Sequence, residues 1–179
     1  MNLPNKITLA RILMIPLFVV LALVPLPYGE VWAALVFTIA AISDAVDGKI
    51  ARGRGLITNF GKFIDPLADK MLVGAAMICL VSMGQLPAWI FVIILCREFA
   101  VDGLRLLAVE KGVVIAASNW GKLKTLFQMS MVVILLLQPL AFWPQPFYNI
   151  LSWIAIIGAL LLTIISGYDY LSKGWKFIK

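Results

Sequence analysis

Long apolar stretches alternate along this chain with short polar connections. Each stretch is roughly 18 to 25 residues long, enough for a helix to cross a hydrocarbon core of about 30 Å. The connections, such as PLPYGE, MGQLP and WPQPF, contain the Gly and Pro that are typical of turns. We place the apolar segments at 8–25, 31–52, 64–84, 87–109, 121–142 and 147–170. The pattern predicts an all-α protein in which six helices span a membrane as a single domain, residues 1–179.

The composition agrees with this pattern. Hydrophobic residues make up 63% of the chain and charged residues 13%, whereas soluble domains have about half and about a quarter. We therefore expect an integral membrane protein. Lys6 and Arg11 precede the uninterrupted apolar run of the first segment, as basic residues do in a secretory signal. That segment is too long and lacks a small-residue cleavage site, so we interpret it as a membrane span.

The distribution of basic residues predicts the orientation of the helices. If the helices alternate and the N-terminus is cytoplasmic, the outer connections, 26–30, 83–87 and 140–147, contain no Lys or Arg. All 15 basic residues then fall on the inner side or in the inner halves of helices, as the positive-inside rule requires. Both termini should be cytoplasmic in a multi-pass protein of the cell membrane. We interpret the net charge of +6 as a result of the membrane topology and of attraction to anionic lipid headgroups. We expect no nucleic-acid partner.

Most acidic residues fall inside the predicted spans or at their inner ends. A charged group at a helix centre costs about 2.5–3.5 kcal/mol on insertion, so such groups usually face an interior cavity and have a function. Glu98 and Asp102 have a second interpretation as ion-pair partners, because Arg97 and Arg105 lie on the same predicted helix. The residues concerned are Asp44, Asp47, Asp65, Asp69, Glu98 and Asp102.

Two pairs of aspartates should meet at the inner ends of the second and third helices. Asp44 and Asp47 share one helix face, and Asp65 and Asp69 lie one turn apart on the next helix. Four converging carboxylates would repel one another strongly unless they held cations. Ligation by oxygen alone suits hard ions such as Mg²⁺ or Mn²⁺. The spacing therefore predicts a divalent metal site.

Two small residues stand beside the first aspartate pair. Gly48 and Ala51 share the face of Asp44 and Asp47, and they would form a notch through which a bulky ligand approaches the metals. Small residues also serve ordinary helix packing in membranes. Taken alone, they would indicate little.

The same residues match the signature of a known family. The spacing DxxDGxxARx8GxxxDxxxD, from Asp44 to Asp69, resembles that of the CDP-alcohol phosphatidyltransferases without a mismatch. The resemblance implies six transmembrane helices, usually in a homodimer, and a site that faces the cytoplasm. It also implies that two divalent cations are held by Asp44, Asp47, Asp65 and Asp69.

The resemblance extends to the reaction. It implies that Asp69 is the general base and that the CDP moiety contacts Gly48, Ala51, Arg52 and Gly61. Two metals stabilise the attacking and leaving oxygens of an in-line displacement, and a carboxylate takes the proton of the attacking hydroxyl. The chain has no His, which excludes a mechanism with a phosphohistidine intermediate. The expected products are a phospholipid and CMP.

Two further stretches bear on the acceptor alcohol. NLPNKITLARILMIP and REFAVDGLRLLAVEKGVVIAASNWGKLKT resemble the bacterial branch that joins CDP-diacylglycerol to sn-glycerol 3-phosphate. A phosphorylated acceptor needs a fixed positive pocket. The candidates for this pocket are Arg105, Lys124, Lys122, Arg97, Arg11 and Thr8. The two lysines have an alternative interpretation as cations that snorkel to the membrane interface.

Two other functions stay open at this point. The same chemistry with another acceptor would use serine, inositol phosphate or phosphatidylglycerol. A small transporter would use its intramembrane carboxylates to bind ions in transit. Against a transporter, the chain shows no internal repeat of the kind common in transporters, and its acidic groups cluster on one side.

Overall fold

The computed structural model describes residues 3–53, 59–113, 118–140 and 144–174, and within them the side chains of 7–43, 64–113, 118–140 and 144–174. These residues form six α-helices and one short 3₁₀ turn, Gln138–Leu140, with no strand among them. The predicted all-α class is confirmed. The helices are α1 Leu3–Leu23, α2 Gly29–Gly53, α3 Asn59–Ser82, α4 Ala88–Glu110, α5 Asn119–Leu136 and α6 Gln145–Gly174.

Each predicted segment overlaps one helix, but the fifth differs at its end. The segment was placed at 121–142, whereas α5 ends at Leu136 and the 3₁₀ turn follows. Pro139 explains the difference, because proline has no N–H to donate and its ring clashes with the preceding helical turn. The residue before a proline also avoids the α conformation. Hydropathy alone does not register this break.

One helix among the described residues, α6, is long and apolar enough to cross a membrane by length and composition. Shorter apolar helical stretches occur at Ile7–Leu23 and Gly29–Ser43. This is consistent with a membrane protein. Six membrane spans and the cytoplasmic position of the termini stay predictions.

The contacts divide the chain into two compact units, which we describe separately. The first comprises Met1–Gln85 and Val132–Pro144. In it α1 packs against α2 and α3. Phe18 and Phe37 are fully buried, with ring centroids 6.0 Å apart and a tilt of 54°. This aromatic pair fixes α1 on α2.

A tight turn joins α1 to α2 in this first unit. The backbone N–H of Gly29 donates to the Leu26 carbonyl over 3.0 Å, and Tyr28 has a positive φ of 56°. A Cβ added at Gly29 would lie 2.6 Å from the Leu21 carbonyl oxygen. Since that oxygen belongs to the backbone, it has little freedom to move. The turn therefore requires glycine at this position.

The second unit comprises Leu86–Met131 and Gln145–Lys179, and in it α4 packs along α6. The packed face of α6 consists largely of small residues, including Ala155, Ala159 and Gly167. A Cβ added at Gly174 would overlap the side chain of Leu104. Small residues allow two helix backbones to approach closely. Long side chains of α4 therefore lie along α6.

We expect Gly29→Ala to destabilise the fold, because its new Cβ would crowd a backbone carbonyl. Overpacking of this kind costs about 1–3 kcal/mol. The control is Gly103→Ala on α4, where an added Cβ meets nothing within 4 Å and a helical alanine is favoured over glycine by roughly 0.5–1 kcal/mol. Thermal unfolding in detergent measures both variants. Equal midpoints for the two would contradict the close approach at Gly29.

Candidate functional site

The first unit contains two of the predicted metal ligands. Asp65 and Asp69 lie one turn apart on α3. The Thr8 hydroxyl on α1 donates to Asp65 Oδ1 over 2.5 Å, and Thr8 is 1% exposed. Hydrogen bonds to an ionised acceptor are short and strong. Thr8 therefore orients the Asp65 carboxylate, and the buried Arg11 lies on the same helix.

The remaining predicted residues of the metal and CDP sites occupy helical positions whose side chains lie outside the described part of the structure. Among the side chains that are described, no group of three potential metal ligands comes together. The four-carboxylate cluster and the CDP contacts therefore stay predictions. The residues concerned are Asp44, Asp47, Gly48, Ala51, Arg52 and Gly61.

The chemistry of Asp65 fits a hard cation. An ionised aspartate has two oxygens and about four lone-pair sites, and the bond from Thr8 to Oδ1 uses one of them. The carboxylate keeps acceptor capacity for a divalent ion, which prefers oxygen ligands. A threonine that holds one oxygen in place would also support a metal ligand in the way that outer hydrogen bonds commonly do.

The second unit contains an ion-pair cluster built on Glu98. Glu98 Oε1 lies 3.0 Å from Arg97 Nη1 and 2.5 Å from Lys124 Nζ. The side chains of Arg97, Lys124 and Glu98 are 11%, 5% and 21% exposed. Buried charges are normally paired in this way. The ion-pair interpretation of Glu98 is therefore confirmed, with Lys124 on α5 as a second partner.

Tyr170 on α6 connects the arginines of α4. Its hydroxyl accepts hydrogen bonds from Arg105 Nη2 over 2.7 Å and from the Ser118 backbone N–H over 2.8 Å. Its ring centroid lies 5.5 Å from the guanidinium carbon of Arg97 and 5.0 Å from that of Arg105. Both distances suit cation–π interactions. Arg97 Nη2 also donates to the Ser166 hydroxyl over 3.0 Å.

This cluster has the properties of an anion site. It contains three cations, Arg97, Arg105 and Lys124, and the Glu98 carboxylate that pairs with two of them. Among the described residues, the Nε atoms of Arg97 and Arg105 are buried without a hydrogen-bond partner. Buried donors are usually satisfied, and a phosphate oxygen would satisfy donors of this kind. The arrangement is suited to a phosphorylated ligand.

The structure brings together only some of the residues predicted to bind the acceptor. Arg97, Arg105 and Lys124 belong to one cluster, whereas Lys122 lies on the exposed surface of α5. Thr8 and Arg11 belong to the first unit.

Sequence reasoning missed three members of the cluster in the second unit, Tyr170, Ser118 and Ser166. All three contact residues far away in the chain. Helical periodicity could indicate that Tyr170 and Ser166 share a face of α6, but it does not indicate their partners.

Comparison with known proteins defines the class. The family model of the CDP-alcohol phosphatidyltransferases matches residues 1–165. The chain belongs to this family. Its members are membrane-bound enzymes of phospholipid synthesis that generally use divalent metal ions, as the aspartate signature implied.

Individual relatives are similar over almost their whole length. The chain is 45% identical to the CDP-diacylglycerol–glycerol-3-phosphate 3-phosphatidyltransferase of Bacillus subtilis, covering 99% of this chain and 97% of the relative. It is 38% identical to the enzyme of the same name from Rickettsia bellii, covering 98% and 97%. A third, from Pseudomonas fluorescens, is 37% identical and covers 100% and 93%.

We expect Glu98→Gln to destabilise the protein, since the partly buried Arg97 and the buried Lys124 lose their shared carboxylate. Removing one partner of a buried ion pair costs about 3 kcal/mol or more. Glu110→Gln on the exposed end of the same helix is the matched control and should change stability by no more than about 0.5 kcal/mol.

The double variant Glu98→Gln with Lys124→Gln should recover part of this loss, because it removes one of the two cations together with the carboxylate that they share. Chemical unfolding in detergent measures all of these variants. If Glu98→Gln were as stable as the control, the ion pairs would have no role in holding α4 to α5.

Proposed function

We propose that this protein transfers a phosphatidyl group from CDP-diacylglycerol to sn-glycerol 3-phosphate, giving phosphatidylglycerophosphate and CMP. Family membership supports the phosphatidyltransferase chemistry, and the names of the relatives support this donor and acceptor. The observation that carries the choice of acceptor is the cluster of Arg97, Arg105 and Lys124. Its cations, of which Lys124 is buried and the two arginines are partly buried, suit the phosphate of glycerol 3-phosphate and have no equivalent use for a neutral alcohol.

Two divalent cations, Mg²⁺ or Mn²⁺, are the proposed cofactors. Bound metals would stabilise the charge on the pyrophosphate and on the attacking and leaving oxygens. The proposed ligands are Asp44, Asp47, Asp65 and Asp69, of which Asp65 has the oxygen chemistry described above. Thr8 supports Asp65 by the hydrogen bond to Oδ1. For this reason we propose a role for Thr8 beside the metals, whereas the sequence made it a candidate for the acceptor pocket.

The protein's own residues have separate tasks in the proposed reaction. Gly48, Ala51, Arg52 and Gly61 contact the CDP moiety. Asp69 takes the proton from the acceptor hydroxyl as it attacks, and a positioned base of this kind contributes about 10²–10⁴-fold in rate. The cationic cluster binds the acceptor phosphate. Arg11 and Lys122 are weaker candidates for the same phosphate.

We also propose that six helices cross the cell membrane, with both termini and the active site on the cytoplasmic side. The large apolar side chains on the exposed face of α6 support this, since Ile154, Leu161 and Ile164 are 61%, 52% and 51% exposed. Such a continuous apolar surface is costly in water and suited to lipid. The family resemblance further implies a homodimer, which sedimentation of the purified protein tests.

Purified protein should release CMP from CDP-diacylglycerol when glycerol 3-phosphate is added, and chelation should abolish this reversibly. Serine, inositol, inositol phosphate and phosphatidylglycerol form the comparison panel, and mass spectrometry identifies the lipid product. Equal turnover with serine would contradict the proposed acceptor. Full activity in EDTA would contradict the metal requirement.

Two variants test the roles of individual aspartates in this assay. Asp65→Asn should abolish turnover, because it removes a metal ligand. Asp69→Asn should lose about 10²-fold or more in rate while CDP-diacylglycerol still binds, since it mainly removes the base.

Cysteine labelling tests the orientation. In a background with Cys79→Ala and Cys96→Ala, Leu26→Cys should react with an impermeant thiol reagent in spheroplasts, and Ser172→Cys should not. Both positions are solvent-accessible on the protein surface, so burial does not explain a difference. Inverted membrane vesicles should give the opposite result. Labelling of both positions from one side would overturn the proposed topology.

A further inference from the structure

We propose that Tyr170 is the positioning residue of the acceptor site: it fixes Arg97, Arg105 and the start of α5 in the arrangement that binds the acceptor phosphate. This inference rests on the proposed function. It adds a residue that lies outside the aspartate signature and is contributed by the last helix.

The first step of the argument is electrostatic. Arg97 and Arg105 are both fully charged at neutral pH, and their guanidinium carbons lie within 5.5 Å of the same ring centroid. Two cations held this close repel each other. The negative face of an aromatic ring attracts both, and Tyr170 is only 2% exposed, so solvent screens this attraction weakly. Tyr170 therefore stabilises the paired arrangement.

The second step concerns the start of α5. Ser118 precedes this helix, and its hydroxyl accepts a hydrogen bond from the Gly121 backbone N–H over 3.1 Å, which is the geometry of a helix N-cap. The Ser118 backbone N–H donates to the Tyr170 hydroxyl. Because α5 carries Lys124, this one hydroxyl connects Arg105 of α4 to the helix of the third cation.

The third step is the close packing of Tyr170 and Arg97 against two glycines. A Cβ added at Gly121 would lie 3.2 Å from Tyr170 Cε2 and 3.3 Å from its hydroxyl oxygen. A Cβ at Gly167 would lie 3.0 Å from Arg97 Cγ. Glycine at both positions lets the ring and the arginine stem approach the backbone closely. The orientation of the cations is therefore held by packing as well as by hydrogen bonds.

Tyr170→Phe tests the inference most directly, because it removes the hydroxyl and keeps the ring. The apparent KM for glycerol 3-phosphate should rise about tenfold, the scale of one hydrogen bond to a charged group. The KM for CDP-diacylglycerol should stay within about twofold. Tyr168→Phe is the matched control, since Tyr168 lies on the same helix and is 76% exposed. It should leave both constants unchanged.

A purely structural role for Tyr170 would give a different result. Loss of folded enzyme lowers kcat and leaves both KM values as they are, and that outcome would overturn the inference. If the wild-type protein failed to use glycerol 3-phosphate, the proposed function would fall and the inference with it. If the wild-type protein used it and Tyr170→Phe had the wild-type KM, the inference alone would fall.

A second variant keeps the test informative if Tyr170→Phe does not fold. Gly121→Ala retains the hydroxyl but crowds the ring, so it should also raise the acceptor KM selectively. Gly158→Ala on α6 is its control, because the added Cβ meets Phe127 at 3.2 Å, a similar crowding against a residue outside the cluster. Equal effects of the two glycine variants on the acceptor KM would overturn the positioning role.

Discussion

The compensation of charge inside apolar helices is the constraint on which this structure depends. A chain that is 63% hydrophobic cannot surround its internal arginines and lysines with water. It must supply partners from other helices, since a buried unpaired charge is very costly. Glu98 meets this requirement for Arg97 and Lys124 at one oxygen. That shared contact links α4 to α5.

The packing of α6 makes the same compensation possible. Its small residues bring the helix backbone close to α4, so the stem of Arg97 lies against Gly167 and its head reaches Ser166 and Tyr170. A snorkelling lysine would instead extend toward the interface. That description suits Lys122, which is exposed, and does not suit Lys124, which is 4% exposed.

The sequence predicted the features that depend on local periodicity. Hydropathy located all six helices, and helical spacing correctly placed Asp65 and Asp69 one turn apart on α3. Hydropathy placed the end of α5 too far along the chain, because Pro139 ends the helix within a run that is otherwise apolar. It did not predict the partners of Tyr170, because contacts between residues far apart in the chain leave no local pattern. The convergence of Asp44 and Asp47 with these aspartates stays a prediction.

The pairing within the cationic cluster also bears on specificity. Glu98, Ser166 and Tyr170 already provide carboxylate, hydroxyl and aromatic partners for the cations, so much of the positive charge is compensated within the protein. Two buried Nε donors nevertheless have no partner among the described residues. In the proposed site, the phosphate of the acceptor would accept hydrogen bonds from these two donors, whereas an acceptor without phosphate would leave them unsatisfied. Sites built to bond one polar group reject analogues that lack it by large factors. On this argument, selectivity for a phosphorylated alcohol comes from the unsatisfied donors rather than from net positive charge alone.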